Sequence, residues 1–155
     1  MEWPPSYSGH ESRKKYFFDF AFVAASTLVR AKPFHLLAQN GGITAKHLDR
    51  LYLCSEKQLD ALRSGDSEAF LDQDALFHVS LAQLTGNSFL TDLVIKSNET
   101  IRRFHTLSGS LSFHAEEAVQ EHTVVLDYLR DGRFDLAEQA LRSHLEQVQQ
   151  RMFAK

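Results

Sequence analysis

From Arg13 onward, apolar residues return at intervals of three and four, and strict apolar–polar alternation is sustained nowhere in the chain. That period belongs to the α-helix, whose side chains come back to one face about every 3.6 residues. A first helix is expected from about Arg13 to Leu37, with a break near Pro33, whose ring removes a backbone donor. Its polar positions Asp19, Ser26, Thr27 and Arg30 leave a narrow stripe on an otherwise apolar cylinder. Such a helix needs cover on most sides. The phenylalanines Phe17, Phe18, Phe20 and Phe22 suit either the centre of a bundle or a dimer interface.

The punctuation between the later segments is chemical. Asn40-Gly41-Gly42 breaks the chain, Thr44 is an N-cap candidate for a second helix, and Gly65 is its natural stop. Asp66 caps a third helix, and Ser67-Glu68 places negative charge at its positive end. That helix carries Phe70, Leu71, Leu76, Phe77 and Leu81 toward the expected core and stops at Gly86-Asn87. A fourth runs from about Ser88 to Leu107 on Leu90, Leu93, Val94 and Ile101, ahead of a Ser108-Gly109-Ser110 loop. The fifth and sixth, over about 115–131 and 134–153, flank the Asp131-Gly132-Arg133 turn, with Val119, Val124, Val125 and Leu129 on one, Leu136, Leu141, Leu145 and Val148 on the other. The fold class expected is all-α: an antiparallel bundle of about six helices over 13–155, one domain, after an extended arm at 1–12 containing Trp3-Pro4-Pro5.

Composition narrows the function classes. A net charge of −3 with interspersed signs gives no footprint for nucleic acid, and Arg13-Lys14-Lys15 reads as a solvated helix start. Residues 16–29 are too short, and interrupted by Asp19, to span a bilayer, so no membrane partner is expected. Cys54 is the only cysteine, which fits a reducing cytoplasm. His35 and His47 flank the glycine loop without a partner cluster and are assigned surface or capping roles.

The candidate chemistry lies in Asp74 and His78. Four residues apart, they share one helix face and can reach one ion. His122 and His144 are equidistant from Arg133, so a hairpin of the last two helices sets them side by side. A carboxylate and three imidazoles are ordinary ligands for a divalent transition metal, although an i,i+4 pair alone is common and satisfied core or surface histidines are the plainer account.

The stretch from Asp74 to Met152 resembles the FCD domain, the effector-binding domain of the FadR branch of GntR-type bacterial transcription regulators. The matching pieces are Asp74-x-x-Phe77-His78, Gly86-Asn87, Glu121-His122, the Asp131-Gly132 turn, and Ala137 through His144-Leu145. The resemblance implies that Asp74, His78, His122 and His144 hold a divalent ion (zinc, nickel or manganese, with iron also compatible) and that the domain binds a small organic acid there. Two features depart from the family pattern. The first twelve residues leave no room for a winged helix-turn-helix, and the aromatic run Phe17–Phe22 replaces a first helix that usually carries arginine and glutamate.

Three readings follow: a metal-dependent sensor without its own DNA-binding half, a stand-alone metal-dependent enzyme, or a partner that dimerises with full-length regulators. Arg102 and Arg103 are candidates for gripping a ligand carboxylate, and His114, two turns before His122, for lining the pocket. For an enzyme, His105, His114 or Glu121 would be the acid–base candidates beside an open metal position. Glu121 adjoins a ligand position and points about 100° away from it, which favours an outer role.

Overall fold

The computed structural model describes residues 33–39, 41–108 and 114–153, and every element among them is a helix. They are α1 (Pro33–Gln39), α2 (Ala45–Ser64), α3 (Ser67–Leu84), α4 (Ser88–Ser108), α5 (Ala115–Arg130) and α6 (Phe134–Phe153). Most of the expected first helix, with its phenylalanine run, and the 1–12 arm lie outside the described residues. No described helix is long and apolar enough to cross a membrane.

The boundaries follow from the expected caps. Thr44 accepts the His47 backbone N–H on its hydroxyl, while His47 Nδ1 accepts the Thr44 N–H, a reciprocal cap in which histidine takes the usual glutamate's place. Gly65 ends α2 at φ 71°, a left-handed conformation that strains any residue with a Cβ, and its N–H closes on the last carbonyls of the helix. The Asp66 carboxylate accepts from Ala69 N, and the Asn87 side chain does the same for Leu90 N at the start of α4.

α2 packs against α3 and α5, α5 against α6, α3 against α4, and α1 against α6. The larger apolar layer is built by Phe34, Leu51, Phe77, Leu81, Leu126 and Leu141 with their neighbours, and a smaller one by Ala61, Phe70, Ala115 and Val119. Between them runs a polar layer. On α2 it falls at Gln58, between Cys54 and Ala61; on α3 at Asp74 and His78, near Phe70 and Phe77; on α5 at His122, between Val119 and Val125. Removing so many polar groups from water is costly unless they satisfy one another or a ligand.

Two expected core positions face outward. Leu76 is 37% exposed and Val124 47% exposed. Each stands two residues, about 200° of helical turn, from inward-facing partners: Leu76 from Asp74 and His78, Val124 from His122. Once the polar residues claim the interior, these two must turn away. Leu71, Leu93, Ile101, Leu136, Leu145 and Val148 are half-buried.

Candidate metal centre

The imidazoles of His78, His122 and His144, from three different helices, are buried and offer ring nitrogens within 4.8 Å of one another. Ring centroids lie 5.0 Å apart for His78 and His122, 5.3 Å for His78 and His144, and 4.5 Å for His122 and His144. Asp74 joins them one turn before His78. Its Oδ2 is 3.9 Å from His78 Nε2 and its Oδ1 3.7 Å from His122 Nε2. Phe77 stacks flat on His122 at 4.0 Å and fixes the ring plane.

The outer nitrogens of two rings are already engaged. His122 Nδ1 lies 3.1 Å from Gln58 Oε1, and His144 Nδ1 lies 2.7 Å from Glu121 Oε2. A carbonyl and a carboxylate oxygen can only accept, so both Nδ1 atoms carry hydrogen. In the neutral rings the Nε2 atoms then present lone pairs, and these two atoms are 3.2 Å apart. Two facing lone pairs repel unless a cation, a proton or a metal ion, lies between them. Arg151, in the last turn of α6, pairs with the other oxygen of Glu121 and completes the outer layer.

Burial also keeps the His78 and His122 rings neutral. It lowers the His78 pKa to about 4, the nearby Asp74 charge recovering only part of the loss. It holds His122 well below the usual histidine range, and the neighbouring His144 and His78 push it the same way. For Glu121, burial raises the pKa, but hydrogen bonds and charge from His144 and Arg151 outweigh it and the carboxyl is held down. Neutral imidazoles are the form a metal ion binds, and an ionised Glu121 is the form that accepts from His144 Nδ1.

Arg102, Arg103 and His114 do not join this cluster. Arg102 is ion-paired to Asp72 and lies 3.9 Å from Glu68 on α3; Arg103 is exposed; His114 precedes α5 at its N-cap, exposed and paired to Glu117. His105 on α4 is half-buried, with a pKa lowered by burial and partly restored by Asp74. Gln58 and Arg151 escaped the sequence reading. The signal for Gln58 was present: a polar residue in the 51/54/58/61 stripe of α2, whose other members are apolar.

A helical bundle with a buried cluster of three histidines beside a half-buried aspartate on facing helices is the setting of a small-molecule or metal site. The chain belongs to the FCD domain family, whose profile matches residues 35–147 and so takes in all four of these positions. FCD domains are the effector-binding modules of GntR-type regulators. Similar curated proteins include the HTH-type transcriptional repressor NanR of Salmonella newport, 27% identical over 153 residues, and that of Escherichia coli K12, 27% identical over 151 residues. In both cases the alignment covers 93% of this chain and 50% of the relative, so the chain spans about half the length of the curated relatives it matches. Among solved structures, the Streptococcus agalactiae GntR superposes with a TM-score of 0.66 at 20% identity, covering 85% of this chain and 59% of the other, which supports the fold.

Proposed function

We propose that this FCD domain is a metal-dependent sensor of a small organic acid, with Asp74, His78, His122 and His144 holding a divalent transition ion. The observation that carries the reading is the pair of facing Nε2 atoms at 3.2 Å, each turned inward by an acceptor on its own Nδ1. Two nitrogens bound to one ion at about 2.0–2.1 Å stand roughly 2.8–3.4 Å apart for bond angles between 90° and the tetrahedral value. The donor set suits zinc, nickel or manganese, since imidazole and carboxylate are their ordinary ligands.

When bound, the ion would supply a Lewis-acidic centre, and an octahedral one would keep two positions for the oxygens of a carboxylate ligand. The chain's own groups orient the rings, exclude water and keep His78 and His122 neutral. In this reading the ion supplies the acid's counter-charge. Arg102 is already held by Asp72 and Glu68, Arg103 faces solvent, and His114 is paired with Glu117.

The test is elemental analysis of protein purified without chelator, followed by calorimetry with zinc and then with small carboxylic acids. Near-stoichiometric metal, and acid binding that vanishes after chelation, is the expected outcome. Equal metal content in the wild type, His122→Ala and His144→Ala would refute it.

A further inference from the structure

Gln58 is fully buried in the middle of α2, and both ends of its amide are used. Nε2 lies 3.1 Å from Asp74 Oδ1, and Oε1 lies 3.1 Å from His122 Nδ1. The orientation is forced by chemistry. An ionised Asp74 accepts and never donates, so the amide must turn its NH2 toward α3. Its carbonyl then faces α5, and His122 must put its ring proton on Nδ1. A reversed amide would set two acceptors against each other in a dry interior, at a cost a buried polar group does not sustain.

We infer that Gln58 is a positioning residue of the proposed centre, setting the tautomer of His122 and holding the Asp74 carboxylate beside it. The inference rests on the metal reading for its consequence, though not for its geometry. Asp74 Oδ1, which accepts from the amide, lies 3.7 Å from His122 Nε2, and Oδ2 lies 3.9 Å from His78 Nε2, so both oxygens keep lone pairs beside the rings. Gln58 thereby fixes the Asp74 carboxylate next to the rings while turning the His122 lone pair inward. Neither effect can come from α3 or α5 alone, because one residue of α2 serves both.

The tautomer can be read directly. Long-range proton–nitrogen correlation spectra of the chelator-treated protein should show His122 as the Nδ1–H form. Gln58→Leu, similar in size but without either polar end, should populate the Nε2–H form and bind zinc roughly ten- to a hundredfold more weakly, as loss of an outer partner usually does. Gln58→Glu should restore the Nδ1–H form, since a carboxyl in either protonation state offers an oxygen to that nitrogen.

Failure of this inference separates from failure of the metal reading. An Nε2–H His122 in wild-type protein that binds zinc overturns the role of Gln58 alone, as does undiminished zinc affinity in Gln58→Leu. An Nδ1–H His122 in wild-type protein that takes up no zinc supports the tautomer control and overturns the metal reading, and with it the consequence for Asp74.

Discussion

Acidification of the metal-free protein should destabilise it well before its carboxylates titrate. The His78 imidazole has a pKa of about 4 in the fold, against 6.5 for the free side chain. Between those values the unfolded chain binds a proton that the folded chain refuses, so stability rises with pH across this window and is lost as pH falls. His78 is buried, so solvent screening does not blunt the effect. Linkage for this one group gives a loss of about 2 kcal/mol between about pH 7.5 and about pH 5, approaching about 3 kcal/mol by about pH 4. His122 and His105, whose pKa values are also lowered, act in the same direction. The assay is urea unfolding followed by circular dichroism in the presence of a chelator. With a urea slope of about 1–3 kcal/mol per molar, the midpoint should fall by roughly 1 M at the lower pH. His78→Asn should lose the share that His78 contributes, with the remainder carried by His122 and His105. A midpoint that stays level or rises on acidification would show that the imidazoles are not held neutral by burial, and the argument for a ready set of metal ligands would fall with it.

Zinc at about a hundred times its dissociation constant should add about 2.7 kcal/mol to stability, or roughly 5–10 °C in melting temperature for a chain of this size; His144→Ala, measured by the same scan, should show almost no shift. Glu121→Leu removes the acceptor on His144 Nδ1 and a partner of Arg151, and zinc affinity by calorimetry should fall roughly tenfold or more, against no change if Glu121 is a mere surface charge. Tyr52, half-buried, donates to Asp127 at 2.8 Å and accepts from Arg130, so Tyr52→Phe should cost about 1 kcal/mol in chemical denaturation while leaving zinc affinity intact. A large loss of zinc affinity in that variant would mean that the α5–α6 turn controls the centre from a distance.

The helices and the four candidate ligands were legible in the sequence because their signals are local or symmetric. Thr44, Gly65 and Asp66 act on the backbone groups nearest them, so their chemistry announces a helix end whatever surrounds it. Asp74 and His78 share a face by helical period, and His122 and His144 face each other because a short turn folds two helices about Arg133. What only the tertiary structure decided is which residues of other helices meet them. Gln58 is 16 residues from Asp74 and 64 from His122, and no period or turn relates them. Leu76 and Val124, apolar and placed in core-like surroundings by sequence, turn outward because the polar layer claims the interior side of their helices. Arg102 spends its charge on Asp72, a partner supplied by the packing of α4 on α3. Local chemistry determined the elements and the candidate ligands; the orientation of those ligands depends on a buried amide whose partners only packing brings within reach.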